Sequence, residues 1–269
     1  MNKGYENQHT YLFKFAGMRI LLAWLLLVTV PAFAQTQPTD SLAIVKAVEK
    51  MKMPRASGLI IPGMLMTYGA ISLLGNTEVR SLDFTTQAEL QEDHPTFAFK
   101  IDNYTRYVPA IAVYGLDLIG VRAKNNLKDR TGMLLLSAAL VTGSVGASKV
   151  IIHRTRPNGL NNKSFPSGHT ALAFMTAEFL NQEYKDQSVW YSIGGYALAT
   201  GTGVLRLYNN AHWFSDVVAG AGFGMLSTKV SYWVYPALKR KFFKNKPVSM
   251  VVAPSYYNGQ AGFNFNYRF

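Results

Sequence analysis

Six apolar stretches, roughly 57–75, 107–121, 131–152, 167–181, 189–207 and 212–238, run through the chain from residue 57 and limit what it can fold into. Such a succession forms a bundle of membrane-crossing helices or a bundle of buried helices in a soluble domain. Gly194, Gly195, Gly220, Gly222 and Gly224 sit inside these stretches, and small residues let helices approach closely in a bilayer. Several stretches are short or carry a polar residue such as Asp117, so the soluble alternative stays open. Composition narrows the choice. At 49% hydrophobic, 13% aromatic and 16% charged, the chain is not a disordered protein. Its 27 Lys+Arg against 15 Asp+Glu give a net charge of +12. On so apolar a chain that excess fits the basic loops of a membrane protein, not the charged surface of a nucleic-acid binder. With no cysteine, a disulfide, a thiolate nucleophile and a Cys-ligated metal are all excluded.

The flanks orient the bundle. Segment 122–130 carries four Lys/Arg and segment 239–246 carries five, whereas loop 75–107 has six acids (Glu78, Asp83, Glu89, Glu92, Asp93, Asp102) against three Lys/Arg. Basic loops stay cytoplasmic, so the opposite helix ends are expected outside, in the periplasm. The N-terminus reads as an export signal: Arg19, an apolar run from Ile20 to Val30, and Ala32-Phe33-Ala34 before Gln35, with a start at Met18 giving a compact signal peptide. An uncleaved anchor over 1–34 is the alternative. A cleaved signal would put the polar linker 35–56 outside, while counting back six spans puts it inside. Either the signal is not used or stretch 57–75, interrupted by Pro62, does not fully cross. After the domain at 57–240 comes a basic segment and a tail, 241–269, where Phe263, Phe265, Tyr267 and Phe269 alternate beyond Asn258-Gly259. That pattern predicts a β-hairpin. The expected fold is therefore an all-α, polytopic membrane bundle of about six apolar helices with a short C-terminal hairpin.

Three polar clusters fall at the ends assigned to the outside. The first is Lys149, then six residues, then Arg156-Pro157, with Arg154 between. Alone it is explained as well by cations at a helix C-terminus. The second, Ser164-Phe165-Pro166-Ser167-Gly168-His169-Thr170, opens a helix. There Ser167 can be the N-cap, and Gly168 lets an anion approach backbone N–H groups. The third is Arg206, five residues, His212, three residues, Asp216. Four residues apart, His212 and Asp216 are expected on one helical face, with the carboxylate fixing the imidazole tautomer. Each cluster has a bland reading; together they supply cations for a dianion, a helix N-terminus, and two histidines with one carboxylate. Phosphoryl transfer suits that set. No Asp/Glu/His group has metal-ligand spacing, so neither metal nor cofactor is expected.

At these residues the sequence resembles the type 2 phosphatidic acid phosphatase superfamily, which shares its site with vanadium haloperoxidases and class A acid phosphatases. The family pattern is Lys-six residues-Arg-Pro, Pro-Ser-Gly-His, then Ser-Arg-five residues-His-three residues-Asp. All three occur in order across 149–216, with Leu205 standing where the family has Ser. The resemblance implies that His212 is a nucleophile forming a phosphohistidine, oriented by Asp216, and that His169 is the general acid. It implies that Lys149, Arg156, Ser167, Gly168 and Arg206 bind phosphate oxygens. The expected protein is an inner-membrane phosphatase facing the periplasm. Its expected substrate is a lipid phosphomonoester or diphosphate: lipid A, undecaprenyl diphosphate, phosphatidylglycerophosphate or phosphatidic acid. Exported soluble acid phosphatase and non-catalytic lipid binder are the alternatives. The oligomeric state is not fixed.

Overall fold

The computed structural model describes residues 57–75, 77–242, 249–257 and 260–268. The export signal and the linker 35–56 lie outside the described residues, as do Asn258 and Gly259. Eight helices are described between residues 57 and 242: α1 (Ser57–Ile71), α2 (Glu78–Asp93), α3 (Asp102–Thr105), α4 (Val108–Leu118), α5 (Leu127–Ile152), α6 (Gly168–Tyr184), α7 (Val189–Tyr208) and α8 (Phe214–Phe242). Two antiparallel strands follow, β1 (Ser249–Tyr257) and β2 (Gln260–Arg268), with Ser249 opposite Arg268 and Tyr257 opposite Gln260.

Two expectations change. The segment read as a loop at 75–107 contains α2 and α3. Thr77 caps α2, its hydroxyl accepting from Arg80 N at 3.2 Å. Pro62, expected to interrupt the first stretch, lies inside a continuous α1. It sits in the second turn, where a proline removes one backbone hydrogen bond without ending the helix. Among the described residues, only α5 is both long and apolar enough to cross a membrane; α1 and α4 are shorter apolar helices.

The central helix is α8, and small residues let its neighbours close on it. A Cβ on Gly224 would stand 2.1 Å from the Ala171 carbonyl oxygen of α6. One on Gly220 would stand 2.6 Å from the Ser167 oxygen, and one on Gly222 2.7 Å from the Pro62 oxygen of α1. Backbone therefore meets backbone on two sides of α8, the approach that Gly-x-x-x-Gly spacing permits. Between α5, α6 and α8 the core is Val141, Val145, Ala171, Met175 and Phe223. A second group, Val113, Phe179, Leu180 and Tyr184, ties α4 to α6.

The bundle has two chemically different ends. At one, Lys239 of α8 bridges Asp129 of α5 at 2.7 Å, and Lys124 bridges Asp186 at 2.8 Å. The two basic segments of the sequence thus share an end. Beneath them, buried Glu178 accepts from Lys229 at 2.8 Å and Gln182 at 2.6 Å, and Glu183 accepts from the Asn125 side chain at 2.9 Å. The opposite end holds the C-termini of α5 and α7 and the N-termini of α6 and α8. All three sequence clusters are there.

Candidate active site

The first cluster is placed by the way α5 ends. His153 takes a left-handed conformation (φ 50°) as its C-cap and turns the chain into the loop 153–166. Lys149, in the last turn, donates from Nζ to the Lys163 carbonyl at 2.7 Å, which draws the loop across the helix end. In that loop Arg156 donates from Nε to Asn161 Oδ1 at 3.1 Å. Burial and the nearby Arg206 charge hold the Arg156 guanidinium below its usual pKa. Among the described residues, neither Lys149 nor Arg156 has a carboxylate within 4 Å. Uncompensated, mutually repelling cations of this kind favour binding an anion.

Ser167 is the N-cap residue of α6, as expected, but its hydroxyl makes no capping bond and pairs with Thr170 Oγ1 at 2.9 Å. Its backbone N–H donates instead to the Asp216 carbonyl at 2.9 Å, tying the start of α6 to the start of α8. A Cβ on Gly168 would meet only ordinary contacts, the nearest 3.7 Å away at Val145. Packing therefore does not require glycine there, and backbone N–H groups at a helix N-terminus are suited to an anion. His169, one residue into α6, has Nε2 2.8 Å from Asn103 Oδ1. Since a carbonyl oxygen accepts, this nitrogen carries the hydrogen.

His212 is not on a helix with Asp216: it lies in the segment before α8, and Asp216 is in that helix's first turn. The pair still face each other, with His212 Nδ1 3.7 Å from Asp216 Oδ2, beyond hydrogen-bond distance. The reason is competition. Asp216 Oδ2 accepts from Trp213 N at 3.0 Å, a capping-box contact, and from Ser164 Oγ at 2.5 Å. Its Oδ1 accepts from Arg154 Nη1 at 2.8 Å. His212 is buried with Nδ1 unpartnered. Burial pushes its pKa down to about 4, against the opposing pull of Asp216 and helped by Lys149 and Arg156. The ring is therefore neutral at pH 7, the state a nucleophile needs.

Arg206, in the last turn of α7, donates from Nη1 to Asp102 Oδ2 at 2.6 Å, and its Nε is buried without a partner. Leu205 beside it is half-buried.

All eight residues singled out in the sequence thus gather at one end of the bundle. The structure adds Asp83, Asp102 and Asn103, and it gives partners to Arg154 and Ser164, which the sequence clusters contained without a role. Asp102 and Asn103 hold Arg206 and His169, while Asp83 and Arg154 stand behind Asp216. Asp83 and Asp102 belong to the six acids of loop 75–107, but nothing in their spacing separates them from the four that do not pair in the site. Among the described residues there is no group of three or more His, Asp or Glu able to hold a metal ion.

Residues 130–240 match the PAP2 superfamily model. The lipid A 1-phosphatase of Porphyromonas gingivalis is 37% identical over 178 residues, which are 65% of this chain and 37% of that protein. The chain thus matches well under half the length of this relative. The bacitracin transport permease protein BcrC of Bacillus licheniformis is 35% identical over 77 residues, 29% of this chain and 36% of that one. Among solved structures, Aquifex aeolicus LpxE is similar at 21% identity and a TM-score of 0.41, covering 54% of this chain and 93% of its own. The first transmembrane PAP2 type phosphatidylglycerolphosphate phosphatase from Bacillus subtilis is similar at 20% identity and a TM-score of 0.44, covering 68% and 97%.

Proposed function

Since residues 130–240 match the PAP2 superfamily model, we propose that this protein is a membrane lipid-phosphate phosphatase of that superfamily, working through a phosphohistidine on His212, without a metal. The observation that carries the reading is the convergence of the His212–Asp216 pair, His169 and the cations Lys149, Arg156 and Arg206 at one helix end, where Arg206 Nε is buried without a partner. Buried polar atoms without partners are rare in native proteins and point to a ligand.

The substrate phosphate would sit at the N-terminus of α6, against the Ser167–Gly168 backbone, with Lys149, Arg156 and Arg206 on its oxygens. His212 Nε2 attacks phosphorus as the bond to the leaving oxygen breaks, and His169 gives that oxygen a proton. Burial and Arg206 keep the His169 ring neutral in the free site, so it takes up this proton only when the phosphate dianion offsets the surrounding cations. The His212 imidazole gains positive charge in this step, and the Nδ1–H then meets the carboxylate of Asp216, shortening the 3.7 Å gap. Water next attacks phosphorus with His169 taking its proton, the Nε2–P bond breaks, and inorganic phosphate leaves.

Two features support a lipid substrate. Large apolar side chains face outward on α1 (Ile60, Ile61, Met64), α5 (Leu135, Val150) and α7 (Val189, Trp190, Ile193). So wide an exposed apolar surface suits acyl chains. The site also lies at the helix ends, so a headgroup can enter while the tails stay in the bilayer. With the basic end in the cytoplasm, the site faces the periplasm of a bacterial inner membrane. The P. gingivalis relative's name favours a lipid A phosphate over undecaprenyl diphosphate, phosphatidylglycerophosphate and phosphatidic acid.

The test is phosphate release by purified protein in detergent from those four lipids and from p-nitrophenyl phosphate. Release from at least one lipid, blocked competitively by orthovanadate and unaffected by EDTA, is expected. Hydrolysis of p-nitrophenyl phosphate alone would favour the soluble acid-phosphatase reading. No release from any of them would reject catalysis.

A further inference from the structure

Behind the His212–Asp216 pair lies a buried charge cluster whose second carboxylate, Asp83, comes from outside the three sequence clusters. Arg154 is its centre. Its Nη1 donates to Asp216 Oδ1 at 2.8 Å, Ser215 Oγ at 2.8 Å and Ser72 Oγ at 3.2 Å, and its Nη2 donates to Asp83 Oδ2 at 2.5 Å. Asp83, from α2, also accepts from Ser215 N and Ser215 Oγ, both at 2.7 Å. The side chains of Asp83 and Asp216 are fully buried and that of Arg154 is 11% exposed. One cation is thus held between two carboxylates, and the group carries a net charge of minus one.

That balance decides what His212 faces. Asp216 approaches it from α8, Lys149 from α5, Arg156 from the loop after α5, and His169 from α6. Arg206 of α7 is the further cation of the site and has Asp102 as its partner. If Arg154 were paired with Asp216 alone, the two would cancel and His212 would see only the cations. With Asp83 taking up the Arg154 charge, a full negative charge stays behind the imidazole.

We propose that Asp83 and Arg154 are positioning residues for the phosphatase reaction: Asp83 neutralises Arg154 so that Asp216, held in place by that arginine, presents an undiminished charge to His212. The inference rests on the phosphatase reading for its consequence, because the charge is needed when the imidazole turns cationic on attacking phosphorus. The geometry of the cluster does not depend on that reading. A carboxylate in α2 therefore tunes a nucleophile more than a hundred residues away in the chain.

The test compares Asp83→Asn, which removes one charge, with the double variant Asp83→Asn/Arg154→Gln, which removes both and restores a net charge of minus one. A unit charge at this range moves the His212 pKa by about one unit, a tenfold change in protonation. In side-chain NMR of 15N-histidine protein at pH 4, about half of His212 is expected to be protonated in the wild type. In Asp83→Asn the expected fraction is about one tenth, and the double variant should return towards one half. Alongside this, kcat/KM at pH 7 should fall about tenfold in Asp83→Asn and recover in the double variant. A merely structural pair would also recover activity in the double variant, since removing both partners leaves no unpaired buried charge, but it would leave the His212 titration of folded Asp83→Asn where it is in the wild type. An unmoved titration there overturns the proposal. Should Asp83→Asn not fold, the double variant decides alone: wild-type protonation at pH 4 supports the charge balance, and a fraction near one tenth overturns it. Because NMR reads His212 without turnover, wild-type protein inactive on every phosphate ester would refute the phosphatase reading and leave this measurement standing.

Discussion

Gly220→Ala tests whether the close contact of α8 with α6 sets the catalytic geometry. A Cβ there would lie 2.6 Å from the Ser167 carbonyl oxygen, 3.2 Å from Thr170 Cβ and 3.3 Å from Ala171 N. Two of these three are backbone atoms of the segment that carries Gly168 and His169, so no side-chain rotation relieves the clash. Ordinary contact begins near 3.4 Å, so the helix ends must part by about 0.8 Å. Such a movement stretches the Ser167 N–Asp216 O bond from 2.9 Å to about 3.7 Å, which breaks it. Overpacking of this sort costs about 1–3 kcal/mol. The larger effect is catalytic, because His169 rides on α6 and the segment carrying His212 leads into α8, and a misplacement near 1 Å costs about a hundredfold in rate. The assay is kcat on the lipid substrate together with thermal unfolding in detergent. Gly194→Ala is the control: nothing lies within 4 Å of a Cβ there, so activity should hold. A Gly220→Ala protein with kcat within twofold of wild type and unchanged unfolding would refute the reasoning.

Asp216→Asn should lower kcat by about a hundredfold or more, as the His212 tautomer and charge partner are lost. It should also lower the unfolding temperature, since Asp216 anchors Ser164, Trp213 and Arg154 as well; unchanged kcat would make it structural only. His212 stays neutral in the folded protein to about pH 4 but protonates near 6.5 when unfolded. Between these values the unfolded chain binds more protons, so stability falls as pH drops from 6.5 to 4, by about 3 kcal/mol from this group. Denaturant titrations should show His212→Gln losing correspondingly less over that range; parallel curves would contradict the buried neutral histidine. In the cysteine-free chain, Asn161→Cys in the loop after α5 should react with an impermeant maleimide in cells with a permeabilised outer membrane, and Asn126→Cys should not. The reverse pattern would put the site in the cytoplasm.

The gathering of the candidate site was legible in the sequence because its residues stand at short offsets from the ends of apolar helices. Lys149, Arg156, Ser167, Gly168, His169, Arg206, His212 and Asp216 each sit within a few residues of such an end. The six apolar stretches likewise fall on helices, since apolar runs of that length have few other ways to satisfy their backbone. Legibility stopped where a partner came from far along the chain. Asp83 and Asp102 looked like any acids of a polar loop, and only burial against Arg154 and Arg206 distinguishes them. The spacing of His212 and Asp216 suggested a shared helix face, yet Asp216 caps α8 at Trp213 and leaves His212 ahead of the helix. Nor could hydropathy show that α6, flanked by apolar neighbours, buries Glu178 and Glu183.

The central claim is covalent: phosphate passes through His212. Brief mixing of the wild-type protein with a radiolabelled lipid phosphate, quenching in alkali to preserve a phosphoramidate bond, and peptide mapping would find the label. The account predicts phosphate on the peptide containing His212, lost on brief acid treatment and absent from His212→Ala. Label on a serine or carboxylate, or full turnover with His212→Ala, would contradict it.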